Sequence, residues 1–259
     1  MNYGIIKYIV GWTLILEAAL MVPSAIVALI YGETAIWAFV GTIVLCLLAG
    51  MVLKMKKPHS QVFFAREGFV SVALSWVALS VMGGLPFIFS GAIKNPVDAM
   101  FETVSGFTTT GASILSSVEI LPKSILFWRS FTHWIGGMGV LVFLLTLIPM
   151  TGGFHMNIMK AESPGPSVSR LVPKVRSTAK ILYQIYIGMT VLEIILLLIG
   201  RMPLFDALTL SFGTAGTGGF GIRNDSIASY SVYHQVIITI FMILFGVNFN
   251  AYFFILMGK

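Results

Sequence analysis

Asp98-Ala99-Met100-Phe101-Glu102-Thr103-Val104-Ser105-Gly106-Phe107-Thr108-Thr109-Thr110-Gly111 decides how this chain folds, because its frame is repeated 108 residues further on. Asp98-Ala99-Met100 recurs as Asp206-Ala207-Leu208, and the same ungapped shift sets Thr109 on Thr217 and Gly111 on Gly219. Both stretches, roughly 96–115 and 203–222, are apolar enough to enter a membrane. Both are too short and too Gly-broken to cross it, which is how a re-entrant loop reads.

The residue types within each copy have a physical logic. Asn95 is placed to cap a short helix whose first turn holds Pro96, Val97 and Asp98, and the second copy starts similarly with Pro203 and Asp206. The first helix is expected to end near Gly106, with its partly negative C-terminal end favouring a cation at the membrane midplane. The chain then returns through Thr109-Thr110-Gly111-Ala112, or through Thr217-Gly218-Gly219-Phe220. Glycine permits backbone angles that let successive carbonyls face the same way. A ring of such carbonyls replaces the water shell of a potassium ion. The candidate ligands are the carbonyls of Thr109, Thr110, Gly111, Thr217, Gly218 and Gly219; neither turn contains an ionised side chain.

Outward from the repeat, the chain is greasy throughout. Hydrophobic residues make up 57% of the 259 positions and charged residues 10%, and the mean hydropathy is +0.94. A soluble domain needs more charge than this to cover its surface, whereas a bilayer solvates apolar side chains directly. Six segments, roughly 5–31, 35–53, 67–92, 124–149, 178–200 and 233–257, are long enough to cross a hydrocarbon core about 30 Å thick at about 1.5 Å per residue. The expected fold is an all-α integral membrane protein: an N-terminal helical hairpin (1–66), a first helix–pore loop–helix unit (67–150), a polar linker (151–177) and a second unit (178–259). The net charge of +6 does not point to nucleic acid, because the basic residues sit in short loops where they set topology.

With a cytoplasmic N-terminus, eleven of the sixteen Lys and Arg residues fall inside, leaving Lys94, Lys123, Arg129, Arg201 and Arg223 outside. Both re-entrant loops then open outward. Six of the ten acids share that side: Glu33, Asp98, Glu102, Glu119, Asp206 and Asp225. They read either as solvated loop charges or as an excess that concentrates cations at an outer mouth. The linker, with Pro164, Pro166, Pro173 and several basic residues, faces the cytoplasm.

Other features have plainer readings. Gly216-Thr217-Gly218-Gly219-Phe220-Gly221 matches the dinucleotide fingerprint, but its neighbours are membrane helices and no acid follows about 20 residues on, so it is rejected. Gly136, Gly137 and Gly139 serve either a hinge or, more commonly in membranes, close helix packing; Gly83 and Gly84 are read the same way. Glu17 is expected to have a structural partner, Glu193 is a candidate for coupling, and His133 reads as an interface or structural residue. The single Cys46 excludes an intrachain disulfide, the histidines show no metal-binding spacing, and no nucleophile or acid–base set is visible, so the chain is not read as an enzyme.

Val104-Ser105-Gly106-Phe107-Thr108-Thr109-Thr110-Gly111-Ala112-Ser113 resembles the first pore loop of the Trk/Ktr/HKT potassium transporters. Phe127-Trp128-Arg129-Ser130 and His133-Trp134-Ile135-Gly136-Gly137-Met138-Gly139 are similar to the following helix in the TrkH branch. Thr217-Gly218-Gly219-Phe220 resembles the second pore loop, and Gly246-Val247-Asn248-Phe249-Asn250 its following helix. The resemblance implies a potassium uptake subunit of a bacterial-type plasma (inner) membrane, with one filter glycine per unit, here Gly111 and Gly219. It further implies a homodimer gated by a cytosolic ring of nucleotide-binding, TrkA-like regulatory subunits, for which 151–177 is a plausible contact. Potassium is the substrate and no covalently bound cofactor is implied. Such pores use four units and this sequence holds two, so the expectation is a chain truncated to half of the pore, the other option being that two chains combine. Transport is passive or coupled to protons or sodium. The rival readings are a secondary carrier of a small solute, for which only Glu193 offers a membrane-embedded polar group, and a non-transporting scaffold.

Overall fold

The computed structural model describes residues 2–55, 65–137, 139 and 175–256, and among them every regular element is helical. Helices α1 (Tyr3–Ile30), α2 (Ile36–Lys54), α3 (Ala65–Phe89) and α6 (Val175–Ile199) supply four stretches long and apolar enough to cross a membrane. Large apolar side chains such as Trp37, Val44, Leu48, Met51 and Val52 stand exposed along α2. In water such a surface would aggregate, whereas in lipid it is the solvated face.

Small residues bring the first two helices together. The buried positions of α2 are Ala38, Phe39, Thr42, Cys46 and Gly50, a stripe spaced by about one helical turn. A Cβ on Gly11 would come 2.8 Å from the Gly50 carbonyl oxygen, and one on Gly50 would come equally close to the Gly11 oxygen. Two backbones can pack this tightly only where neither carries a side chain.

The repeat is visible in the short helices. Helices α4 (Pro96–Phe107) and α7 (Leu204–Ala215) are each 12 residues long and begin and end at the same offset of 108. At about 1.5 Å per residue each is about 18 Å long, too short to cross a bilayer core. Asn95 caps α4 as the sequence predicts, its Oδ1 accepting from the Val97 N–H at 3.0 Å with Pro96 directly behind. Pro203 opens α7 without a side-chain cap.

One expected span differs from the sequence reading, and another is described only in part. The fourth, 124–149, is seen as α5 (Lys123–Gly137); apart from Gly139, its remainder lies outside the described residues, as does most of the linker 151–177. The sixth is not one helix. Helix α8 (Val232–Gly246) stops at Val247, whose backbone is extended with ψ 141°, and α9 (Phe249–Leu256) restarts two residues later. The break frees the Leu244 carbonyl, which then accepts from the Val247 N–H at 3.2 Å and from the Tyr252 hydroxyl at 2.7 Å. A Tyr hydroxyl eight residues on thus supplies the donor that a continuous helix would have taken from position 248.

Helix α5 lies at the centre. Every residue from Ser124 to His133 is buried. Its N-terminus is capped from the α1–α2 connection: Glu33 accepts from the backbone N–H groups of Lys123 (2.7 Å) and Ser124 (3.1 Å) and from the Ser124 hydroxyl (2.5 Å). A carboxylate at a helix N-terminus satisfies orphan donors and meets the positive end of the helix dipole. Trp128 then packs edge-on against Phe39 and Phe107 and donates its ring N–H to the Gly83 carbonyl at 2.9 Å.

Candidate functional site

Each short helix leads into a turn of the same backbone shape. Thr109 and Thr217 have φ of 55° and 56°, and Gly111 and Gly219 have φ of 75° and 77°. The residues between them, Thr110 and Gly218, keep negative φ, so the sign of φ alternates through both turns. That alternation is what carries successive carbonyls round to one side of a chain. Matching hydrogen bonds hold the start of each turn: Thr109 N–H to the Gly106 carbonyl at 3.0 Å, and Thr217 N–H to the Thr214 carbonyl at 2.8 Å. For a β-branched residue a left-handed φ is strained, and it persists only where the surroundings over-determine it.

The fold brings the two turns into contact. A Cβ on Gly111 would run into the Gly218 carbonyl oxygen, and a Cβ on Gly218 would come 2.8 Å from the Thr109 carbonyl oxygen. Gly219 is open by comparison, with only the Met242 methyl at 3.7 Å from its notional Cβ. Behind the turns everything is buried: Ser105, Gly106 and Phe107 on one side, and all of Ser211–Gly216 on the other. In front, Thr110, Ala112, Thr217 and Gly219 are exposed. Seven of the eight residues predicted to form the site therefore lie on two abutting, partly open turns. Phe220 differs: its side chain is buried and takes no part in an open face.

Phe220 is held between two side chains of α5. The Arg129 guanidinium lies 3.6 Å from the centre of its ring, and the His133 imidazole stacks on it at 3.9 Å with planes 10° apart. His133 is buried in this packing. Arg129, counted on the outer side in the sequence reading, is paired with Glu102 of α4, and both are buried. Neither ion would be stable there alone.

Several of the remaining acids act as hydrogen-bond acceptors between loop segments. Glu119 accepts from the Asn224 N–H at 3.0 Å, and Asn224 in turn reaches Val118 N–H and Ser117 Oγ, joining the segments that follow the two turns. Asp206 accepts from the Tyr230 hydroxyl at 2.8 Å and pairs with Arg223 at 3.7 Å. Burial and this carboxylate push the Tyr230 hydroxyl above its ordinary range, so it stays a donor. Loop backbones need acceptors, and these side chains provide them.

Gly136 and Gly137 serve close packing. A Cβ at Gly136 would collide with the Phe107 carbonyl, and one at Gly137 with the Tyr186 hydroxyl. Gly83 packs on Phe107 and Thr103. Glu17 departs from expectation: it is buried in α1, and neither carboxylate oxygen has a hydrogen-bond partner among the described residues. Glu193 is buried on α6. Among the described residues no group of three His, Cys, Asp or Glu is placed to hold a metal ion.

Comparison with known proteins places this arrangement. The family described as TrkH, cation transport protein, matches residues 35–258. The Trk system potassium uptake protein TrkH of Salmonella typhimurium is 38% identical over 263 aligned residues, covering 100% of this chain and 54% of the relative. TrkG of Escherichia coli K12 is 30% identical over 98% of this chain and 53% of its own length. The crystal structure of the potassium transporter TrkH from Vibrio parahaemolyticus superimposes with a TM-score of 0.83 at 33% identity, covering 98% of this chain and 52% of that one. The chain therefore spans about half the length of the relatives it matches.

Proposed function

Because this chain belongs to the TrkH family of cation transport proteins, we propose that it contributes two re-entrant pore loops to a potassium-conducting pathway. The ion is held by the backbone carbonyls of Thr109, Thr110 and Gly111 and of Thr217, Gly218 and Gly219. The observation that carries this reading is the pair of turns with the same alternating φ at the same repeat positions. Potassium uptake is what the name of the matched Salmonella typhimurium relative states, and potassium transport what that of the Vibrio parahaemolyticus structure states.

In this reading the N-terminus is cytoplasmic and both turns open on the outer side of a plasma (inner) membrane. The filter selects by backbone alone, since carbonyl dipoles substitute for water around a monovalent cation without a fixed counter-charge. The α4 and α7 C-termini point partial negative charge toward the same region. Two turns cannot enclose an ion, so two more complete the ring, from further units or from a second copy of this chain. The basic linker 151–177 is the natural seat for a TrkA-like cytosolic regulatory subunit. Passage is channel-like or coupled to protons or sodium, and the carbonyl sites are common to both.

The test is potassium or rubidium uptake by cells lacking their own uptake systems. They express this chain alone, or joined to the remaining units of a TrkH relative, each with and without Gly219→Asp. Membrane insertion is checked for every form. Uptake that Gly219→Asp abolishes supports the pore. Uptake that survives Gly219→Asp but is lost with Glu193→Gln replaces it with the carrier reading, and absence of uptake from every inserted form refutes it.

A further inference from the structure

A buried ion pair links the exits of the two turns. Glu102, on α4, is 1% exposed, and its Oε1 accepts from the Arg129 Nε at 2.5 Å. The same carboxylate accepts from the Ser113 hydroxyl, at 3.0 Å to Oε1 and 3.2 Å to Oε2, and from the Ile114 N–H at 3.0 Å. Ser113 and Ile114 are the residues through which the chain leaves the first turn. Arg129 has donors to spare. One terminal N–H reaches the Gly221 carbonyl at 2.9 Å, while the guanidinium face covers Phe220. Phe220 and Gly221 are the residues through which the chain leaves the second turn. One carboxylate therefore grips the first exit, one guanidinium grips the second, and the two are bonded to each other.

We propose that Glu102 and Arg129 are positioning residues, which hold the two turns at a fixed separation and thereby set how sharply potassium is preferred over sodium. This rests on the carbonyl-filter reading above. The chemistry favours it over ordinary stabilisation. A well-packed apolar pair commonly stabilises a fold as well as a buried ion pair does. An apolar pair has no atoms to bind an N–H at 114, a hydroxyl at 113 and a carbonyl at 221 together. Arginine suits the task because its planar fork offers several donors in fixed directions and stacks on an aromatic ring. Carbonyl ligands distinguish two monovalent cations through their number and spacing, so a drift between neighbouring turns acts on selectivity before it acts on permeation.

Conservative variants separate the two grips. Arg129→Lys keeps a positive charge beside Glu102 but loses the planar face over Phe220 and the second fixed donor, so it releases the second exit and spares the first. Glu102→Gln keeps the shape and leaves Arg129 without its counter-charge, so it loosens both. Hydrogen exchange of the membrane-embedded chain reads this directly. Faster exchange is expected at 219–222 in Arg129→Lys, and at both 110–114 and 219–222 in Glu102→Gln, with α1 and α2 unchanged. In whichever form takes up potassium, both variants should retain flux while preference over sodium falls about tenfold or more, since misplacement by an ångström costs that much at a built site. Unchanged exchange at both exits overturns the proposal, as does faster exchange spread through α1 and α2, or flux with undiminished preference. Should no form transport at all, the filter reading fails by its own test, and the exchange pattern still decides the clamp.

Discussion

The same substitution at two repeat-related glycines should have unequal effects. Gly111 and Gly219 share a left-handed backbone, with φ 75° and 77°. Alanine there costs about 1–2 kcal/mol through the crowding of its Cβ with the backbone. Restricting the unfolded chain returns about 0.4–1 kcal/mol. At Gly219 nothing further is added, since a Cβ meets only the Met242 methyl at ordinary contact distance, leaving a net loss of about 1 kcal/mol. At Gly111 the Cβ also collides with the Gly218 carbonyl oxygen. An overpacking term of about 1–3 kcal/mol is added because backbone, not a flexible side chain, must move. Thermal unfolding in detergent should show Gly219→Ala lowering the apparent melting temperature by about 2–4 °C and Gly111→Ala by about 4–16 °C, at about 2–4 °C per kcal/mol for a chain of this size. Equal losses, or a larger loss at Gly219, would refute the abutment of the two turns.

Two further substitutions probe how α5 is seated. Glu33→Ala removes the acceptor of three hydrogen bonds at the α5 N-terminus and should lower stability by about 1–2 kcal/mol; Glu33→Gln should recover part of it, read as the order of apparent melting temperatures. Trp128→Phe keeps most of the buried aromatic bulk but leaves the Gly83 carbonyl without its donor, a loss of about 1–3 kcal/mol, and unfolding that matched the wild type would show the indole N–H to be dispensable.

Much of the backbone of the two turns was legible because its signals are local. Asn95-Pro96 before an apolar dozen residues announces a short capped helix, and the glycines at 111 and 219 announce backbone that other residues avoid. Thr109 and Thr217 gave no such notice, since threonine in isolation prefers extended backbone; their left-handed φ is imposed by the turn and the packing behind it. The break at Val247 was hidden for a related reason. Its freed carbonyl is satisfied by Tyr252, a donor that no helical periodicity marks. Glu102 and Arg129 were invisible as a pair because they stand 27 residues apart and each, counted alone, resembles a loop charge.

What the sequence does encode in α5 is read correctly only with both turns in view. Trp128, Thr132 and Gly136 recur every four residues, and all three meet the first unit: Trp128 at the Phe107 ring, Thr132 at Gly106, Gly136 at the Phe107 carbonyl. Arg129, His133 and Gly137 follow one residue behind and meet the second: Phe220 for the first two, Ala215 and Gly216 for the third. Phe127, Phe131 and Trp134 form a further stripe around Phe212 of α7. On a helix, positions four apart share a face and adjacent positions are turned by about 100°. Buried on every side, α5 therefore has no lipid-facing stripe to spare: one face serves the first turn, one the second, and one the helix behind it. This arrangement explains why its composition is unlike that of α2, whose outward positions are uniformly apolar. It also follows that a shift of α5 along its axis moves the seats of both turns together, whereas a change confined to one stripe disturbs one turn alone.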